Sequence, residues 1–93
     1  MPTAAREVTI SNSLGLHARP AMQFVDIANQ FSSRIMVQKH GFDTHEVDGK
    51  SVMQMITLEA CAGTRLDIRA DGDDAEAAVE QLSALVESKF GED

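Results

Sequence analysis

The segment from Leu66 to Ala70 reads Leu-Asp-Ile-Arg-Ala and alternates apolar with charged side chains. Because successive side chains of a β-strand point to opposite faces of a sheet, this pattern predicts a strand with one buried face. Similar alternation occurs in Arg6–Ser11 and Arg34–Gln38, and more weakly in Thr44–Val47 after the break at Gly41. Four short strands of this kind constrain the chain to a sheet that is covered on one face only.

Apolar side chains between these strands recur at helical spacing. A first helix is predicted from Ala18 to Gln30, because the apolar residues of this stretch share one face of a 3.6-residue helix. A short second helix is predicted after Ser51, whose hydroxyl suits an N-cap. The apolar positions are Ala21, Phe24, Val25, Ala28 and Phe31 in the first helix, and Val52, Met53, Met55, Ile56 and Leu58 in the second.

A third helix is predicted after the last strand. Asp73 or Asp74 can cap it, Glu76 lies where a capping box places a glutamate, and Gly91 is placed to end it. Its apolar stripe consists of Ala75, Ala78, Val79, Leu82, Leu85 and Val86. The order βαββαβα predicts an α+β fold, in which three helices cover one face of a four-stranded antiparallel sheet. Only one core is expected in 93 residues, so residues 1–93 are predicted to form a single domain.

Charge and composition exclude several classes of partner. The chain carries 8 Lys and Arg against 15 Asp and Glu, a net charge of −7, and its four aromatic residues are all Phe. Phosphate neutralisation needs clustered cations, so nucleic acid and anionic membranes are not expected partners. No apolar run is long enough for membrane insertion. Cys61 is alone among small residues, which indicates a buried thiol without chemistry and a cytoplasmic location.

His17 falls where the first helix is predicted to begin. The first N–H groups of a helix have no internal acceptor and the dipole there is positive, so anions are stabilised at that end. A neutral imidazole there can accept a phosphoryl group, whose oxygens would lie near the backbone N–H groups of Ala18 and Arg19. The guanidinium of Arg19 would stabilise their charge. Pro20 costs no helical hydrogen bond in the first turn. On residue type and position alone, an ordinary helix-capping or loop histidine is the favoured interpretation.

Longer motifs separate these two interpretations. Gly15–Ala21 reads GLHARPA, Asn12 precedes His17 by five residues, and Gly49–Met55 reads GKSVMQM. Together with the order and length of the elements, these strings resemble the histidine-containing phosphocarrier (HPr) family of the bacterial phosphotransferase system. The resemblance covers essentially the whole chain and implies an open-faced β-sandwich.

The resemblance also implies a function. His17 would accept phosphate on Nδ1 from phosphorylated enzyme I, itself charged by phosphoenolpyruvate, and pass it to an enzyme IIA component for sugar transport. Arg19 matches the neighbouring active-site arginine, and Ser51 matches the serine that HPr kinase/phosphorylase modifies in some bacteria. The protein would be a monomeric stoichiometric carrier without a cofactor, and not an enzyme.

An apolar docking patch for partners is expected around His17. It consists of Leu16, Met22, Val52, Met53 and Ile56. Core packing is the alternative for each, most of all for Ile56, whereas docking is favoured for Met22 and Met53. Family members often carry lysines on the exposed face of the first helix, where this chain has Asp26 and Asn29. Its partners are therefore expected to have surfaces whose charge complements this less basic face.

Two function classes remain open. The first is the phosphocarrier, and the second is a regulatory binding module controlled by Ser51 phosphorylation without sugar transport. A generic interaction domain is a weaker third. The stretch Lys39–Asp48 collects His40, Asp43, His45, Glu46 and Asp48, but their spacing follows no zinc pattern. A solvated loop is expected there, and no metal site is predicted.

Overall fold

The computed structural model describes residues 2–41 and 46–92. Seven helices and strands follow the predicted order, and a short 3₁₀ turn, Lys89–Gly91, comes after the last helix. The strands are β1 (Thr3–Thr9), β2 (Arg34–Lys39), β3 (Val47–Asp48) and β4 (Arg65–Asp71), and the helices are α1 (Ala18–Ala28), α2 (Val52–Ile56) and α3 (Ala75–Glu87).

The strands form one antiparallel sheet in the order β1-β4-β2-β3. β4 lies in the middle, so both of its edges are hydrogen-bonded: Asp67 is opposite Glu7 of β1 and Gln38 of β2. The three helices leave one sheet face open, which confirms the predicted α+β architecture.

The alternating side chains of β4 form the centre of the core. Leu66, Ile68 and Ala70 are fully buried, whereas Asp67 and Arg69 on the opposite face are only partly covered. α3 packs on β1 and β4, and α1 contacts both α2 and α3. α1 contributes the buried side chains Pro20, Ala21, Phe24, Val25 and Ala28. The apolar side chains that recur every two residues in the strands therefore pack against those that recur every 3.6 residues in the helices, and together they form one core.

Several predicted boundaries differ from the observed ones. β1 begins at Thr3 instead of Arg6, because its N-terminal half pairs with the last residues of β4. α1 ends at Ala28 instead of Gln30. Of the predicted second arm of the hairpin, Val47 is confirmed as strand and Glu46 precedes the strand, whereas Thr44 and His45 lie outside the described residues.

The predicted capping box of α3 is wrong. Asp74 is the N-cap residue, but its side chain makes no cap hydrogen bond. Its carboxylate instead accepts hydrogen bonds from the hydroxyl and backbone N–H of Ser33 and from the backbone N–H of Ser32, the latter at 2.9 Å. These bonds, the Ser33 hydroxyl first, lower the pKa of Asp74 to about 2. Asp74 thus ties the start of α3 to the segment that enters β2.

Two further expectations are corrected. Cys61 is exposed, because the loop that carries it lies on the surface. α3 ends at Glu87, and Gly91 instead closes the 3₁₀ turn beyond it. Within residues 2–41 and 46–92, none of the helices combines the length and apolarity that crossing a bilayer requires.

Substituting Asp74 by Asn is expected to lower the thermal midpoint at neutral pH. The pKa of Asp74 is lower in the folded chain, about 2, than its ordinary value of 3.8. Ionised Asp74 therefore stabilises the fold above the ordinary value, and this contribution is lost as the pH falls through about 2. Thermal melts of wild type and D74N should converge between about pH 4 and pH 2. D73N, at the exposed neighbour, serves as the control; a constant difference across this range would contradict the assignment.

Candidate functional site

The loop between β1 and α1 is anchored against the segment before β4. The backbone N–H of Leu16 donates to the carbonyl of Ala60 at 2.8 Å, and Ile10 exchanges backbone hydrogen bonds with Gly63 and Thr64. Gly15 has a φ of +71°, and a Cβ there would lie 2.6 Å from the Ala60 oxygen. Glycine is therefore required by both the backbone conformation and the close approach.

His17 is the N-cap residue of α1, as predicted. Its backbone is extended, its carbonyl accepts from the N–H of Ala21 at 3.0 Å, and its side chain makes no cap hydrogen bond. The imidazole is therefore available for other contacts. The N–H groups of Ala18 and Arg19, in the first turn, have no intrahelical acceptor, and Pro20 has no N–H to satisfy.

The imidazole of His17 contacts Glu92, a residue that sequence reasoning missed. Nε2 of His17 lies 3.0 Å from Oε1 of Glu92, and the same oxygen accepts a hydrogen bond from Nδ2 of Asn12 at 2.9 Å. Asn12 is completely buried and also donates to the carbonyl of Gly15 at 2.8 Å. The loop, the first helix and the C-terminal segment therefore meet at His17.

The turn after α3 places Glu92 in this site. Lys89 and Phe90 adopt left-handed backbone conformations, with φ of 61° and 56°, which reverse the chain. Phe90 is buried in the core and holds that reversal. An isolated aromatic residue after the apolar stripe of α3 was the available signal that the acidic tail folds back. The partner of that tail is 75 residues away in sequence, so its identity was not readable from the pattern.

Hydrogen bonding determines which ring nitrogen carries the proton. The bonds from His17 and then from Asn12 lower the pKa of Glu92, and the charge of Arg19 acts in the same direction. Glu92 is therefore a carboxylate at neutral pH and can only accept, so Nε2 of His17 is the donor. In the neutral ring this leaves the lone pair on Nδ1.

Ser51 lies at the start of α2 and is half-buried. Its Oγ accepts a hydrogen bond from the backbone N–H of Gln54 at 3.2 Å, which confirms the predicted N-cap. The side chain of Gln54 in turn accepts from the backbone N–H of Asp48 at 2.9 Å. Ser51 is therefore built into the turn between β3 and α2.

Comparisons with known proteins agree on the family. A family model described as the PTS (phosphotransferase system) HPr component phosphorylation site matches residues 4–88. Phosphocarrier protein NPr of Proteus mirabilis is 41% identical over 91 residues, which are 98% of this chain and 99% of the relative. Phosphocarrier protein HPr of Xylella fastidiosa is 39% identical over 87 residues, 94% of each chain. The crystal structure of HPr-C-His from Thermoanaerobacter tengcongensis has a TM-score of 0.88 at 42% identity, covering 97% of this chain and 98% of that one.

The chain belongs to the HPr family. Its function is that of a phosphocarrier of the phosphotransferase system, as the resemblance of the GLHARPA and GKSVMQM strings implied. The open-faced sandwich expected for an HPr fold is the observed one.

The predicted HPr docking residues differ in exposure. Met22 and Met53 are 55% and 78% exposed, Ile56 is 40% exposed, and Val52 is half-buried. Leu16 is buried, so its prediction as a docking residue is corrected: the loop anchor at Ala60 turns it into the core.

The structure also revises the expectations about neighbouring positions. Leu14, which sequence reasoning missed, is 73% exposed in the loop before His17. Core packing was the main alternative for Ile56, but Ile56 is exposed, because Met55 fills the buried position of α2 instead. Exposed apolar side chains therefore come from the loop, from α1 and from α2, and the last two contact each other.

Replacing Gly15 with Ala is expected to destabilise the protein more than a positive φ alone does. Gly41 is a matched control, because its φ is +79° and a Cβ there meets nothing within 4 Å. G41A should cost about 1 kcal/mol of unfolding free energy, and G15A at least about 1 kcal/mol more, because its Cβ overlaps backbone. Urea unfolding measures both; equal losses would show that the loop accommodates the methyl group.

Proposed function

We propose that Nδ1 of His17 is the phosphoryl acceptor, and that the protein carries phosphate from phosphorylated enzyme I to an enzyme IIA component. The observation that supports this best is the hydrogen bond from Nε2 to Glu92. It assigns the proton to Nε2 and leaves a nucleophilic lone pair on Nδ1. The N-cap position of His17 supports the proposal as well, because a phosphoryl group on this residue would lie at the positive end of α1.

The transfer step requires no cofactor. The lone pair of Nδ1 attacks phosphorus, the N–P bond forms, and the donor's bond to phosphorus breaks with its electron pair returning to the donor atom. The ring retains its proton on Nε2 and becomes positively charged. The carboxylate of Glu92, 3.0 Å from Nε2, stabilises that charge. In the onward step the acceptor atom of enzyme IIA attacks phosphorus, and the N–P bond breaks with its electron pair returning to Nδ1, which restores the neutral ring.

Charge on the transferred phosphoryl group is stabilised from a second direction. The N–H groups of Ala18 and Arg19, which have no acceptor within the helix, are the donors expected to face its oxygens. Arg19 is exposed, and its charge is close enough to the site to help lower the pKa of Glu92. Arg19 therefore can approach the phosphoryl group without leaving the neighbourhood of His17.

A carrier of this kind returns to its starting state only after a second protein has taken the phosphate. We therefore infer a stoichiometric role, not the turnover of an enzyme. We further propose that the 93 residues act as one domain, as a monomer, in the cytoplasm, where phosphoenolpyruvate-dependent donors are found. The net charge of −7, with exposed Asp26 on α1 and exposed Asn29 at its C-cap, supports partners from the same organism whose surfaces complement this charge.

Incubation with phosphoenolpyruvate and enzyme I from the same organism is expected to add one acid-labile phosphate. Intact-mass spectrometry should show the addition in wild type and none in H17A. H40A, which removes a histidine on the sheet, is the matched control and should be modified normally. E92Q should be modified more slowly, because an amide stabilises the charged ring less than a carboxylate does. Equal labelling of H17A and wild type would exclude His17 as the acceptor.

The exposed apolar residues support a docking surface beside His17. Met22, Met53 and Ile56 project from two helices that contact each other, and Leu14 from the adjoining loop. Such residues supply adaptable contacts to several partners.

Met53→Glu is expected to slow phosphate transfer from enzyme I while leaving the thermal midpoint nearly unchanged. Met53 is largely exposed, so a charge there costs little in the free protein but opposes an apolar contact. The paired variant Met55→Glu should instead unfold the protein, because Met55 is fully buried. Transfer rates and melting curves of both variants measure the distinction. An unchanged rate in M53E would remove Met53 from the docking surface.

Ser51 supports a regulatory role beside the carrier role. We infer that its phosphorylation by HPr kinase/phosphorylase would place about −1.5 to −2 charges next to Val52 and Met53. That charge would oppose the docking of enzyme I without unfolding the core. A regulatory module that acts through Ser51 without sugar transport is the alternative function, and it requires the same modification.

Substitution of Ser51 by Ala is expected to abolish phosphate incorporation by a cognate HPr kinase with ATP. S11A, at another exposed loop serine, should be labelled normally. S51A should still accept phosphate from enzyme I, because its His17 site is intact. Kinase labelling of S51A equal to that of wild type would exclude Ser51. Labelling of wild type by the kinase without any labelling by active enzyme I would favour the regulatory module.

A further inference from the structure

A second histidine lies beside two carboxylates on the open face of the sheet. Glu7 of β1 and Asp67 of β4 are directly opposite each other in the strand register. His40 follows the end of β2, where its backbone N–H donates to the carbonyl of Arg65 at 2.9 Å. Side-chain alternation along β2 points His40 to the same face as Gln38, which is itself opposite Asp67.

The three side chains converge on one point. Nδ1 of His40 lies 3.0 Å from each carboxylate oxygen of Asp67 and 3.5 Å from Oε1 of Glu7. One potential metal-ligating atom of each residue lies within 4.8 Å of the corresponding atoms of the other two. The side chains are 37–43% exposed, so a bound ion could keep water ligands. The residue that follows β2 therefore supplies an imidazole nitrogen, and β1 and β4 each supply a carboxylate oxygen, to one solvent-accessible position.

We propose that Glu7, His40 and Asp67 bind a divalent transition metal of the zinc type. Zinc takes imidazole nitrogen and carboxylate oxygen at about 2.0–2.2 Å, so ligand atoms on one ion lie roughly 3–4 Å apart. The distances from His40 to Asp67 and Glu7 fall within that range. With three protein ligands, at least one coordination position remains for water or another small ligand.

The charge arrangement favours a cation at this point. Carboxylates directly opposite each other in an antiparallel pair repel and destabilise the pairing. Arg65 offsets part of this charge, since its Nη1 lies 3.4 Å from Oε2 of Glu7. Oε1 of Glu7 is the oxygen that faces His40, so Arg65 does not occupy the proposed position. A metal ion would neutralise both carboxylates while it uses the imidazole as a neutral ligand.

The donor set distinguishes this cation from calcium or magnesium. Both of those ions prefer sites made of oxygen ligands, whereas an imidazole nitrogen suits zinc and its neighbours in the first transition row. Binding would join β1, β4 and β2 through side chains on the open face. The proposal uses no residue of the His17 site, so it stands or fails separately from the phosphocarrier chemistry.

Isothermal titration calorimetry of the full chain with zinc chloride tests the proposal. One equivalent of zinc should bind, and magnesium chloride should give no comparable heat. H40Q and D67N should each weaken zinc binding by at least about tenfold, because each removes a direct ligand. Zinc should also raise the thermal midpoint of wild type but not of H40Q. Melts without metal confirm that each variant is folded.

H17Q is the matched control, because His17 also contacts a carboxylate, and it should bind zinc as wild type does. C61S controls for the exposed thiol and should do the same. The proposal is overturned if wild type shows no saturable zinc binding, or if H40Q and D67N bind as tightly as wild type. Loss of binding in H17Q or C61S with retention in H40Q would likewise overturn it.

Discussion

Burial of one face of β4 is the constraint on which the rest of the structure depends. β4 is hydrogen-bonded on both edges, and its apolar residues Leu66, Ile68 and Ala70 are completely removed from water. A shift of one residue in register would exchange these side chains with Asp67 and Arg69, so the register is strongly specified. α3 packs on β1 and β4, and through that contact the C-terminal segment reaches the loop that carries His17.

The site is assembled from parts of the chain that the core holds in place. The Gly15 loop is bound to Ala60, Phe90 anchors the reversed C-terminal turn, and buried Asn12 connects Gly15 with Glu92. These contacts orient Nε2 of His17 toward a carboxylate and leave Nδ1 with the lone pair that the proposed transfer requires. In the proposed transfer this preorganisation means that no further side chain is required as a base, since the neutral ring already has its lone pair.

The local periodicity of apolar residues was sufficient to predict the fold and the position of His17 at the start of the first helix. The alternation of Leu66–Ala70 and the apolar stripe of α1 are local signals, and both were confirmed because burial follows the same period. Contacts between distant segments were not predictable in this way. The carboxylate of Asp74 was expected to cap α3 but bonds to Ser33, 41 residues away, and no local pattern singled out Glu92 as the partner of His17. Leu16 was expected on the docking surface but is buried, and Cys61 was expected to be buried but is exposed. The contacts that anchor a loop, and not the residue type, decide which of its side chains face the core.

In the proposed mechanism, Glu92 selects Nδ1 of His17 as the phosphorylated atom by holding the ring proton on Nε2. Nuclear magnetic resonance of the enzyme I-phosphorylated protein, with ¹⁵N-labelled histidine, tests it directly through the coupling between phosphorus and ring nitrogen. We expect phosphorus on Nδ1 of His17, with the proton retained on Nε2. Phosphorus on Nε2 would contradict it, because that atom could not then donate to Glu92.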